Sequence, residues 1–265
     1  MWRPTRRRLL KASASLAGIS LMASAPSGVH AATRGRRYGS ANLSGWKTIL
    51  GDGIYAAPGE DPVTEADIRT INFSDHSELQ ANINRRRVMA HNITYKSVTD
   101  DNALTFLHTV AYSFRVPFLP AVGNFDLNAQ TVEGGVFVWD GSGTRLDYGA
   151  AFEWILNPWM EEFGDIRTWT DWGGGQWQKV GELAPNTSWH RVTLKLDPVH
   201  RTTAMVLDGL HYPSAFSQIP RPPDWGLDTT ARLQAEIISL YPGPDNPGAL
   251  HKAEFKDWVW IWRHP

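Results

Sequence analysis

Cysteine is absent from the 265-residue chain. Disulfide staples are therefore excluded, as is every metal site built on thiolates, and stability has to come from packing. The sequence also has no glycine-rich phosphate cradle, no Gly-x-Ser-x-Gly elbow and no His-Glu-x-x-His pair. Past residue 31 no apolar run approaches the roughly 20 residues of a bilayer-crossing helix, so no membrane span is expected there. No basic stripe with interleaved aromatics occurs, which argues against nucleic acid as a partner. Tryptophan, by contrast, is plentiful, with 13 residues.

The first 31 residues differ in kind from the rest. Thr5-Arg6-Arg7-Arg8-Leu9-Leu10-Lys11 precedes a weakly apolar run, Ala12 to Ala25, and small residues at Val29-His30-Ala31. This order resembles the twin-arginine signal family, with Arg6 and Arg7 as the arginine pair. The resemblance implies export through the twin-arginine translocase to the periplasm or the outside, with cleavage after Ala31 or, second, after Ala25. A general secretory signal carrying three arginines is the alternative. Removing residues 1–31 takes five basic residues and no acid, leaving 21 basic against 27 acidic residues and a net charge near −6. An acidic surface repels phosphate backbones.

Residues 32–41 are small, basic and aperiodic and read as a flexible lead-in, with order beginning near Leu43. The domain is expected to span 42–265. Residues 51–87 are polar and irregular and read as a long loop, with a short helix around Ser77 to Asn84. Beyond them, runs of strand-forming residues separated by Gly, Pro, Asp and Asn predict strands over 88–98, 103–116, 131–139, 148–156, 165–172, 177–183, 190–196, 202–207, 231–241 and 251–262. In His190–Leu196 the apolar Val192, Leu194 and Leu196 alternate with Arg191, Thr193 and Lys195, the pattern of a strand with one face in the core. So many strands predict an all-β sandwich of two antiparallel sheets.

The segments GGVFVWDG (134–141), FEWIL (152–156), SWHRVTLKLD (188–197), TTAMVLDG (202–209) and AEFKDWVWIW (253–262) resemble, in that order, the laminin-G-like branch of the concanavalin A-like lectin and glucanase superfamily. The resemblance implies a jelly-roll sandwich with ligands on a concave sheet face or at the loop rim. It does not imply catalysis.

Indole rings stack on the C–H faces of sugars. Trp169, Trp172 and Trp177 surround Gly173-Gly174-Gly175 and are expected to be partly exposed, while Trp154, Trp258, Trp260 and Trp262 are candidates for the floor of the same groove. Each of them equally suits a core. Glu153 and Glu236 lie inside otherwise apolar strands, where an acid costs desolvation unless it is partnered or faces a cleft. They are the candidate pair for glycoside hydrolysis. The Glu-x-Asp-x-x-Glu signature of glucanases on this fold is missing. His91, Asn92, Tyr95, His108, Tyr112 and Arg115 supply the residue types of a polysaccharide lyase on two consecutive strands. Asp140, opening Asp-Gly-Ser-Gly-Thr, is a candidate ligand for calcium (Ca2+), although no cofactor is required. Three readings follow: a polysaccharide-binding module, a polysaccharide-degrading enzyme, and a structural or adhesion module with all its tryptophans buried.

Overall fold

The computed structural model describes residues 35–51, 55–83, 86–119, 131–139, 148–157, 160–170, 176–212, 229–240 and 251–264. The export signal with Arg6 and Arg7, Asp140 and Trp172 lie outside these residues. The strands are β1 (Arg36–Ser40), β2 (Lys47–Leu50), β3 (Tyr55–Ala56), β4 (Ile68–Asn72), β5 (Ser77–Ala81), β6 (Val88–Thr99), β7 (Leu107–Arg115) and β8 (Thr131–Trp139), followed by β9 (Tyr148–Trp154), β10 (Asp165–Thr170), β11 (Gln176–Glu182), β12 (His190–Asp197), β13 (Thr202–Leu207), β14 (Leu210–Tyr212), β15 (Thr230–Leu240) and β16 (Lys252–Arg263). Two short 3-10 turns, Glu65–Asp67 and Ala103–Thr105, are the only helical elements among the described residues.

The strands form two antiparallel sheets. One runs β14-β13-β12-β7-β16-β5-β4, with β1 also on β16, and the other runs β11-β10-β9-β8-β15-β6-β2, with β3 also on β6. The protein is an all-β jelly-roll sandwich. Alternation places one residue in two between the sheets: Val192, Leu194 and Leu196 of β12 meet the core while Arg191 and Lys195 face water, as the pattern predicts. From the second sheet Leu233, Ala235 and Ile237 point into the same core. At the β13–β14 hairpin Asp208 and Gly209 both take positive φ, 50° and 82°, the two-residue turn in which Asp-Gly is favoured.

Two expectations are corrected by the N-terminal half. Residues 36–40, read as lead-in, form β1 and pair with the second half of β16. Ser77–Ala81 is a strand and not a helix, because Ser77, Leu79 and Ala81 alternate inward while Glu78 and Gln80 pair with Lys252 and Arg69 on the outer side.

Strand β16 explains several tryptophans. Ala253 and Phe255 are buried, and so are Trp258, Trp260 and Trp262, although the two sets differ in parity. Asp257, with φ 52°, sits in a bulge between Lys256 and Val259 that adds one residue and turns the later even positions inward. Trp260 donates its indole N–H to His108 Nδ1 at 3.3 Å, and Trp258 donates to the Asn42 carbonyl at 2.7 Å. Trp154 is likewise enclosed, donating to the Leu183 carbonyl at 3.1 Å with its ring 5.3 Å from that of His190. Trp154, Trp258 and Trp260, together with Trp262, are therefore core side chains and do not form a sugar-binding floor.

Candidate functional site

The face of the second sheet turned away from the first carries the site. One of its inner strands, β15, alternates Leu233, Ala235 and Ile237 into the core with Arg232, Gln234 and Glu236 onto this outer face. In an antiparallel sheet, residues paired in register share a face. Glu236 pairs with Glu133 of β8, and Glu133 pairs with Glu153 of β9. Three glutamates therefore form one row across three adjacent strands. Arg167 of β10 stands next to Glu153, and Lys179 of β11 next to Arg167, extending the row at that end.

Glu153 and Glu236, the pair picked out in the sequence, thus lie on the same face, two strand spacings or about 10 Å apart along the sheet. Glu133 was not picked out. It carries the same signal, an acid within an apolar strand, but two glycines follow it and dilute the run. All three side chains are sheltered, with exposures of 3% for Glu153, 6% for Glu133 and 3% for Glu236. Burying carboxyl groups side by side costs desolvation and repulsion, which a fold tolerates when the groups have work to do.

Around the row the contacts are specific. His91 Nδ1 lies 2.8 Å from Glu236 Oε1, and Gln234 donates its amide to Glu236 Oε2 at 3.2 Å. Gln234 pairs with Tyr95, whose ring receives the Arg232 guanidinium 3.9 Å from its centroid, and burial holds that guanidinium below its ordinary value. At the other end Arg167 reaches Glu162 and Asp165 at 3.5 Å, and Lys179 bridges Asp165 at 2.8 Å and Glu182 at 2.6 Å. Two residue pairs beyond Arg167 and Lys179, Trp169 and Trp177 face each other across β10 and β11, rings 5.3 Å apart and near perpendicular. Both are half-buried, as expected from the sequence.

Glycines shape the floor beside the row. A Cβ on Gly135 or Gly149 would collide with the Phe137 ring, so this ring lies against bare backbone on both strands. On the core side the Tyr112 hydroxyl presses so closely on Gly134 that no side chain fits there. Burial pushes the Tyr112 hydroxyl well above its ordinary value, and nearby Glu133 adds to the shift.

The lyase set is dispersed. His91 and Tyr95 belong to the outer face just described, but Asn92 turns inward and donates to the Arg69 and Gln80 carbonyls. His108, Tyr112 and Arg115 belong to β7 in the other sheet, two of them in its core and Arg115 on its outer face against Trp189. Strands β6 and β7 follow each other in sequence yet lie in different sheets. Among the described residues no group of three potential metal ligands is assembled, and no helix is long and apolar enough to cross a membrane.

No family model matches the chain, and no curated protein matches its sequence. Solved structures do. The winged bean acidic lectin, in complex with methyl-α-D-galactose, superposes with a TM-score of 0.50 at 12% identity, covering 86% of this chain and 98% of the lectin. A Bacillus subtilis protein of unknown function with a galectin-like fold gives 0.46 at 12% identity over 82% of this chain and 89% of its own. A pseudo β-1,3-glucanase of Mycobacterium tuberculosis gives 0.40 at 12% identity over 82% and 90%. The two-sheet architecture of this chain is that of the concanavalin A-like jelly-roll sandwiches.

Proposed function

We propose that the protein binds a polysaccharide on the outer face of its second sheet and hydrolyses it at the glutamate row. The observation that carries this reading is the alignment of Glu153, Glu133 and Glu236 in register on three neighbouring strands. Glycosidic hydrolysis needs two carboxyl groups about 5 to 10 Å apart, one to give a proton and one to act as base or nucleophile. Neighbouring members of the row supply the shorter spacing, and its two ends supply the longer. Trp169 and Trp177 offer aromatic surface for a sugar unit next to the row, and Gln234, Tyr95 and His91 offer hydrogen bonds on its other side. A lectin-like fold hosts many activities, and these residues, not the architecture, support this one.

Export by the twin-arginine route and a laminin-G-like ancestry belong to the same proposal, since a polymer substrate is met outside the cytoplasm. The shelter of the row favours a second reading, in which the half-buried tryptophans bind a glycan that is never cut. Incubating the protein with a panel of plant, algal and bacterial polysaccharides separates the two. Release of reducing ends, lost in Glu153→Gln with the melting temperature unchanged, supports hydrolysis. Quenching of tryptophan fluorescence without release leaves binding alone.

A further inference from the structure

Independently of the glutamate row, we infer that the outer face of the first sheet is a second glycan surface, a track for a linear polysaccharide that carries carboxylate groups, a polyuronate. Residues paired in register share a face. On this face Val206, Thr193, Ala111, Val259 and Gly39 form one row across β13, β12, β7, β16 and β1. The row is uncharged and lies low. Thr193, Val206 and Val259 are half-buried, and Ala111 is 7% exposed although its neighbours Val110 and Tyr112 are the ones that enter the core. Five strands span about 20 Å, room for a short run of sugars rather than for one.

Cations border this row on both sides. In one direction along the strands the next row runs from Lys195 through Thr109 and Ile261 to Arg37, and in the other it holds Arg191, Ser113 and Lys256. Two residues of strand are about 7 Å long, so the borders lie about 13 Å apart. Lys195 and Arg37 are exposed and take part in no ion pair among the described residues. Arg191 is held along the face, donating to the Asp257 carbonyl at 2.7 Å and the Ser113 hydroxyl at 3.3 Å. Asp257 is the acid of this border, 3.8 Å from Lys256, while Glu254 and Glu78 further along each have a cation of their own. At the β1 end an open depression of about 490 Å³ is lined in part by Arg37, Gly39, Asp257 and Val259, a volume within the roughly 300–1,000 Å³ of ligand sites.

Charge decides the occupant. Beyond residue 31 the chain has 21 basic against 27 acidic residues, so a face bordered by cations runs against its net charge near −6. A guanidinium takes a carboxylate in a two-pronged hydrogen bond, and an ammonium adds a point charge. Cations on both edges of an uncharged strip suit a linear chain lying in the strip with its acid groups turned outward. A lipid surface calls for apolar side chains that project, and this row has none larger than valine.

The test titrates the full chain, by calorimetry, with a galacturonate oligosaccharide and with its methyl ester, which keeps the shape and loses the charge. Expected are binding of the free acid that weakens as salt rises, and binding of the ester weaker by about tenfold or more. Lys195→Gln combined with Arg37→Gln should weaken binding of the acid by about tenfold or more with the melting temperature unchanged, and Thr193→Glu, which sets an acid in the row, should do the same. Amide chemical shifts should move on β1, β7, β12 and β16 and stay in place on β8, β9 and β15. No binding of the acid, equal affinity for the ester, full binding by these variants, or shifts on β8, β9 and β15 instead would overturn the inference and leave hydrolysis at the glutamate row standing. Binding to phosphatidylglycerol vesicles without binding to the oligosaccharide would overturn it too, giving the cations to a lipid surface.

Discussion

The outer faces of the two sheets both carry buried acids opposite one another, and they treat them differently. On the first sheet Glu254 and Glu78 pair in register, yet each has its own cation: Arg115 lies 2.6 Å from Glu254 and Lys252 lies 2.7 Å from Glu78. On the second sheet acid follows acid from Glu153 through Glu133 to Glu236, and the groups that meet Glu236 are a histidine and an amide. The first arrangement neutralises charge and tolerates burial. The second concentrates three carboxyl groups in register at one place. Tryptophan repeats the contrast: on β16 it fills the core, whereas on β10 and β11 it stands half-buried beside the acids.

Five changes should break or sharpen this contrast. Trp260→Ala empties a fully buried site in the first sheet and should cost about 3–5 kcal/mol of stability by denaturant unfolding, with glycan binding by the folded fraction unaltered. The second effect is a response to acid. Burial holds the His108 imidazole at about 4, against the ordinary 6.5, so the folded ring stays neutral where the unfolded chain takes up a proton. Neutral His108 donates from Nε2 to the Ala103 carbonyl and accepts the Trp260 N–H at Nδ1, which the charged ring cannot do. Its contribution is complete above about pH 6.5 and is lost as pH falls through about 4, a change on the order of 3 kcal/mol. His108→Gln should flatten that acid limb in pH-dependent unfolding.

Removing a cation from the first sheet tests the charge comparison directly. Arg115→Met leaves Glu254 sheltered without its partner and should cost about 1–3 kcal/mol, discounted because a third of the Arg115 side chain faces solvent. On the second sheet Glu133→Gln should leave stability unchanged or raise it, because Gln keeps the shape and removes one acid from the row. The smallest structural effect is expected at Trp169. Trp169→Ala should weaken glycan binding by about 1–3 kcal/mol, read by fluorescence titration, while moving stability by less than about 1 kcal/mol. Unfolding of that variant would place Trp169 with the core tryptophans of β16.

Most of the sandwich was legible in the sequence because alternation is local. The strand read at 131–139 is the strand observed, and those read at 88–98 and 190–196 end within a residue of β6 and β12. Ser77–Ala81 escaped because its inward set, Ser77, Leu79 and Ala81, contains only one large apolar residue. The site was legible in part. Glu153 and Glu236 announced themselves as acids in apolar strands, but Glu133 acquires meaning only when β8 is inserted between β9 and β15, and strand order is not a local property. Period two puts Trp258, Trp260 and Trp262 on one face of β16. Which face met the core depended on the bulge at Asp257, a residue whose left-handed backbone nothing in the alternation foretold.

The central claim is that a glycan occupies the outer face of the second sheet at the glutamate row. It is tested most directly by a crystal structure of Glu153→Gln with an oligosaccharide of the polymer that the protein binds. The account predicts a sugar chain crossing β8 and β9, one ring against Trp169 or Trp177 and a glycosidic oxygen within hydrogen-bond reach of Glu133. A sugar seated on the first sheet alone, or on no part of this face although it binds in solution, would contradict it.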